Sequence, residues 1–167
     1  VPLSSVPVSS SAAPQPSPFT KVIDFDRLVQ ENEDYVGWLV VPGSVIDYPV
    51  MYCGDNSYYL NHNENMEASQ AGALFIDMSN DRGFEDPVTL IYGHYMPDES
   101  YFTQLHRYKD EVYFKENRQV LLYAPDGNRE YEIVAAFEID NRNLLYNTDY
   151  TDSQTMQEFI DWIKDQR

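Results

Sequence analysis

A single cysteine, Cys53, is all the thiol chemistry this 167-residue sequence offers. One thiol forms no internal disulfide framework and supports no multi-cysteine zinc site. Basic residues are also scarce: 11 Lys and Arg stand against 28 Asp and Glu, a formal net charge of −17. That balance argues against binding nucleic acid by phosphate neutralisation, which needs clustered cations, and against adhesion by charge to an anionic membrane surface. Long apolar runs are missing as well. The stretch Ile133 to Phe137 is among the longest uncharged apolar ones, far short of the roughly 20 residues that span a bilayer. No signal peptide is legible, so the expectation is a soluble chain, compatible with release from an anchored precursor. The Walker loop, GxGxxG, HExxH and GxSxG are all absent, and nucleotide binding, zinc proteolysis and α/β-hydrolase chemistry have no local support.

What is present is apolar and aromatic: 43% of residues are hydrophobic, with 14 Tyr and 8 Phe. That is too rich for a wholly disordered chain. Residues 1–18 stand apart, with six Ser, five Pro and no charged side chain. This composition reads as an extended linker or stalk, or else a disordered terminal tail. The folded domain is expected over residues 19–167. Asp24 is positioned to cap a short helix carrying Phe25, Leu28 and Val29 and ending near Asn32. Val36–Val41 reads as a strand closed by the Pro42-Gly43 turn, and Ile46–Met51 as a second, which Pro49 assigns to an edge or bulge. Asp55–Asn61 reads as a helical turn, Ala73–Ile76 as a short strand and Asn80–Asp86 as a polar loop. Val88–Tyr92 is an apolar β-run stopping at Gly93-His94. Ser100 is expected to cap a helix through Lys109, with Phe102, Leu105 and Tyr108 on one face. Gln119–Ala124 and Tyr131–Ile139 form a hairpin around Asp126-Gly127. A final helix begins at the capping-box pair Thr151 and Gln154, with Met156, Phe159, Ile160 and Ile163 facing inward. Its pattern is still running at Arg167, so the end reads as cut. The sum is mostly β, a barrel or sandwich with short helices rather than a doubly wound sheet.

Three histidines are candidates for acid–base work. His94 follows a β-run and a glycine, a rigid mount for an imidazole that titrates near neutral pH. A hydrogen-bonded structural histidine at a strand end is the alternative. His62 reads as a surface or capping residue and His106 as solvated. Cys53 sits beside Asp55, and a neighbouring carboxylate raises a thiol pKa, which is wrong for a nucleophile. Asp77, Asp81, Glu85 and Asp86 cluster around one loop and offer oxygen ligands for calcium, but without a DxDxDG loop they read as a solvated surface. No cofactor and no metal is called for.

The blocks Tyr35-Val36-Gly37-Trp38-Leu39-Val40-Val41-Pro42-Gly43, Ile46-Asp47-Tyr48-Pro49-Val50 and Asp55-Asn56-Ser57-Tyr58-Tyr59-Leu60 together resemble class B sortases. Gly72-Ala73-Leu74-Phe75-Ile76-Asp77 and Ile91-Tyr92-Gly93-His94, followed by Met96, Ser100-Tyr101-Phe102 and Leu105, continue the resemblance in the family's order. It covers the chain from about residue 24 onward. The resemblance implies a sortase-like β-barrel with short peripheral helices, an N-terminal helix and a long helix at the C-terminal end. It implies an extracellular cysteine transpeptidase of Gram-positive bacteria, membrane-bound only through an N-terminal anchor. Its partners would be an NPxTN-like sorting-signal peptide and an amine acceptor from a cell-wall precursor or a pilin. By the same resemblance His94 is the catalytic histidine. Asn56, Leu60, Leu145 and Tyr146 fall where the family contacts the peptide.

The sequence also departs from the family. The family's nucleophilic Cys, in a Leu-Ser-Thr-Cys-like strand after the long helix, and the Arg that follows it have no counterpart here. Cys53 falls in a block where relatives carry Gln. The expectation is therefore a C-terminally incomplete catalytic domain, inactive by itself, with a degenerate peptide-binding module as the alternative.

Overall fold

Strand β1, Tyr35–Val40, owes its place to a run of apolar side chains and to the turn that follows it. At Val41-Pro42-Gly43-Ser44 the Ser44 amide donates to the Val41 carbonyl at 3.1 Å, and Gly43 takes the positive φ of 84°. Proline sets the first central position of this turn and only glycine takes the second without strain. The chain returns as β2, Asp47–Met51, antiparallel to β1. The computed structural model describes residues 17–138 and 148–166, so Leu145, Tyr146, Arg167 and most of the Ser/Pro-rich segment lie outside the described residues. Within them β3 (Leu74–Ile76), β4 (Ile91–Tyr92), β5 (Gln119–Tyr123) and β6 (Arg129–Glu132) complete a six-stranded sheet of order β4-β3-β2-β1-β5-β6. The architecture is mostly β, a curled half-barrel with short helices around it. Among the described strands only β2 and β3 run parallel, which requires the long crossover over residues 52–73.

Alternation along the strands covers both faces of the sheet. Val50, Leu74, Ile76, Leu39 and Leu122 join one apolar cluster, and Met51, Phe75, Tyr35 and Leu28 join another. Neighbours in sequence therefore enter opposite clusters, as a side-chain period of two demands. Helix α1, Phe25–Glu31, brings Leu28 into the second cluster, and Asp24 caps it by accepting from the Arg27 amide.

Several expectations are corrected. Of the edge or bulge expected at Pro49, the edge is corrected, since β2 is interior, while the β1–β2 register does shift beside it, between Tyr35 and Gly37 opposite Met51 and Val50. Pro49 itself lies opposite Trp38, just before the β3 pairing begins at Val50. A strand whose second neighbour starts one residue later accommodates a missing N–H. The segment Phe102–Lys109 is a 3-10 helix, and the residue before it is Tyr101 at φ 49°, with no side-chain cap. Ser100 instead donates to Asp98. Thr103, Gln104 and Tyr108 are its buried residues, whereas Leu105 is exposed. A separate helix α2, Glu111–Glu116, follows, capped by Asp110. The hairpin's second strand begins at Arg129 and pairs with β5 only to Glu132. Helix α3, Ser153–Asp165, is capped by Asp152 rather than by the Thr151 and Gln154 pair. None of its residues is buried, and Ile160 is 37% exposed. Phe159 and Trp162 pack instead against Tyr150 and Phe137, with ring centroids 4.8 and 5.4 Å apart.

Candidate active site

His94 is mounted by the ladder between β3 and β4. Ile76 pairs with Ile91 and Phe75 with Tyr92, and the Asp77 amide extends the ladder by donating to the Leu90 carbonyl at 3.0 Å. Gly93 then lies directly under core side chains. A Cβ there would stand 2.5 Å from Leu74 Cδ2 and 2.7 Å from Phe102 Cδ2, so the close approach that demands glycine comes from the core. The His94 carbonyl accepts from the Phe102 amide at 3.2 Å, and Thr103 closes the loop through both the amide and the carbonyl of Met96. His94 is thus half-buried on a braced backbone, and among the described residues its ring has no hydrogen-bond or ion-pair partner. Gly93 lines a largely apolar groove of about 700 Å³, floored by Leu39, Ile91 and Val120 from three strands and walled by Phe102 and Phe137.

Asn56 occupies a separate polar cleft of about 510 Å³ with Asp77, Asn80, Asp86 and Tyr150 on its walls. Both ends of the Asn56 amide are engaged: Nδ2 donates to Asp77 Oδ2 at 2.8 Å and Oδ1 accepts from the Met78 amide at 2.7 Å. Asp77 is 2% exposed. Its Oδ2 also accepts from the Tyr92 hydroxyl at 2.7 Å, and its Oδ1 accepts from the Ser79 amide and hydroxyl. Burial pushes this carboxyl up, but the donors from Ser79, Tyr92 and Asn56 outweigh it and hold it below its ordinary range. The structure therefore joins Asn56 to Tyr92, two residues before His94. Leu60, 44% exposed at the end of the 3-10 turn Tyr58–Leu60, does not line this cleft. Asp77 is the residue that sequence reasoning misplaced. An acid closing the wholly apolar run 73–76 was the signal, because a buried carboxylate needs donors.

The remaining candidates have local roles. Cys53 donates to the Asp55 carbonyl at 3.5 Å. Burial first, and then the charges of Asp34 and Asp55, push its thiol up, which opposes thiolate formation. His62 stacks on Tyr58 and its Nδ1 bonds the Tyr58 carbonyl. His106 is exposed and meets the Tyr95 ring edge-on. The loop acids turn inward on their own backbone: Asp86 accepts from Asn80 and from the Asp81 amide, and Asp81 from the Gly83 amide. Among the described residues no three His, Cys, Asp or Glu are grouped to hold a metal ion.

No family model matches the chain. Sortase B of Listeria monocytogenes serovar 1/2a (strain ATCC BAA-679 / EGD-e) is 34% identical over 135 residues, 81% of this chain. The solved structure of sortase B from Listeria monocytogenes superposes with a TM-score of 0.77 at 33% identity, covering 85% of this chain and 81% of that one. The chain belongs to the class B sortase family. A sortase B–substrate complex from Staphylococcus aureus superposes with a TM-score of 0.80 at 26% identity, over 85% of this chain and 66% of that one. Against the curated sortase B proteins of Listeria and Staphylococcus aureus, the chain spans 55% and 57% of their length. No helix among the described residues of this sortase family member is long and apolar enough to cross a membrane.

Proposed function

We propose that the protein carrying this chain is a cysteine transpeptidase that cleaves a C-terminal sorting signal and joins the surface protein to a cell-wall or pilin amine. The observation that supports this reading most is His94, seated on a glycine-braced strand end with a ring that has no hydrogen-bond partner among the described residues, in a chain 34% identical to a sortase B. In the proposed cycle a thiolate attacks the peptide carbonyl carbon, and the C–N bond breaks as His94 protonates the departing amine. The incoming amine then attacks the thioester and gives its proton to His94, and the sulfur leaves as thiolate. An arginine stabilises the oxyanion in both steps. Neither thiol nor arginine is assigned to these 167 residues. Cys53 donates to the Asp55 carbonyl and burial pushes its thiol up, so it is not taken as the nucleophile, and the reading places both groups on the remainder of the parent protein. The proposed location is the outer face of a Gram-positive cell, with residues 1–18 as the stalk.

An NPxTN-type fluorogenic peptide, incubated with triglycine as amine, tests the reading. The parent protein is expected to cleave the peptide and form the amide, and His94→Ala to lower the rate by about 10²-fold or more. The 167-residue chain alone is expected to give no cleavage above buffer, and Cys53→Ala in the parent to leave activity intact. Loss of activity on Cys53→Ala would overturn the mechanism. Tight peptide binding by the parent without turnover would favour a degenerate binding module.

A further inference from the structure

We infer that Asp77 is a positioning residue for both halves of this site, orienting the Asn56 amide toward the cleft and tying down the end of β4 that carries His94. The inference rests on the reading of Asn56 and His94 as site residues and goes beyond it, because the proposed cycle gives Asp77 no part in the bonds made and broken.

The geometry is that of a two-sided clamp. One carboxylate oxygen takes the Asn56 Nδ2 and the Tyr92 hydroxyl together, and the other takes the Ser79 amide and hydroxyl. Asn56 has one orientation consistent with these contacts, since its oxygen meets the Met78 amide and its nitrogen meets Asp77. A flipped amide would set donor against donor at Met78 and acceptor against acceptor at Asp77. The side chain therefore presents a fixed N–H and a fixed lone pair to the cleft it lines, without the rotational freedom of an exposed asparagine. Through Tyr92 the same carboxylate holds the residue that precedes Gly93 and His94. Asp77 is itself fixed at the end of β3 by its amide bond to Leu90. Crossover, β3 and β4 thus converge on one charged group that is 2% exposed.

Asp77→Asn keeps the shape and removes one acceptor oxygen. Whichever way the new amide faces, one of the two donor pairs is unmatched. In the parent protein, at preserved melting temperature, the expectation is a rise in peptide KM of about tenfold with a further fall in kcat. Asn56→Ala is expected to raise KM similarly, and the double variant Asn56→Ala/Asp77→Asn to have the KM of Asn56→Ala alone. Effects on KM that simply multiply, or a folded Asp77→Asn enzyme with unchanged kinetics, would overturn the inference. Tyr92→Phe keeps the Asn56 contact and is expected to lower kcat with KM held; it carries the test if Asp77→Asn does not fold, and a raised KM there would count against the clamp. A readout independent of turnover is NMR exchange of the Asn56 side-chain amide protons. Protection in the unsubstituted protein that is lost in Asp77→Asn or, if that variant does not fold, in Asp77→Glu supports the clamp. Free exchange in the unsubstituted protein overturns it. Failure of the parent to process any peptide, with that protection present, would overturn the functional reading and leave the clamp standing.

Discussion

Tyr59 shows at the level of one residue how burial becomes pH dependence. It is fully buried, its hydroxyl donates to Asp34 at 2.7 Å, and it accepts from Asn32 at 2.9 Å. Burial above all raises its pKa from 10.0, and burial likewise pushes Tyr108 up to about 12. A phenol whose folded pKa exceeds its unfolded value favours the neutral native form. The resulting stability is complete below about pH 10 and is lost as pH climbs toward the folded value. Urea midpoints are therefore expected to stay level from pH 8 to 9 and to fall steeply above 10. Tyr59→Phe should cost about 1–2 kcal/mol at neutral pH, because Asn32 and Asp34 lose a buried partner, and should make the alkaline fall shallower. An alkaline limb identical in both proteins would show that Tyr59 is not its source.

At the level of elements, β3 and α3 contrast. β3 is three residues long, yet Leu74, Phe75 and Ile76 are all buried, because both sheet faces are covered there. α3 has 13 residues and buries none. Phe75→Ala is expected to cost about 3–5 kcal/mol, as a buried aromatic truncation does. The sequence pattern assigns a similar cost to Phe159. Its half-buried ring, resting on Tyr150 and Trp162, reduces the expectation for Phe159→Ala to about 1–2 kcal/mol. Denaturant titrations of the two variants side by side check this, and equal losses would mean α3 is docked as firmly as β3. Removing its cap with Asp152→Ala should cost about 1 kcal/mol.

For the molecule as a whole, charge is the dominant surface property. With a net charge of −17, the folded chain repels itself, and compaction is penalised when counter-ions are few. The ion pairs that oppose this are on the surface, Arg27–Glu31 and Lys115–Glu111 among them, where each contributes about 0–1 kcal/mol. Repulsion summed over the whole surface is expected to outweigh these pairs. Raising sodium chloride from 20 to about 500 mM shortens the screening length several-fold and is expected to raise the melting temperature. A fall would indicate that the exposed pairs matter more than the net charge.

Local signals were legible in the sequence wherever the physics is local. The Asp24 cap, the Pro42-Gly43 turn and the apolar runs of β1 and β3 each depend on residues a few positions apart, and each appears in the fold; of the expected β-run Val88–Tyr92 only Ile91–Tyr92 is a strand. The ordered blocks also carried the family, because their spacing reflects a whole barrel rather than one element. What tertiary structure alone decided depends on partners distant in sequence. Pro49 is tolerated in an interior strand because β3 joins β2 only from Val50 onward. Leu105 is exposed because Phe102–Lys109 winds as a 3-10 helix rather than an α-helix. Asp77 reads in sequence as one acid of a solvated loop. It becomes a buried hydrogen-bond centre because residues 21 positions away, at Asn56, and 15 away, at Tyr92, fold back onto it. Composition and periodicity record which residues avoid water; which donors meet a buried carboxylate is set only when distant segments are folded against one another.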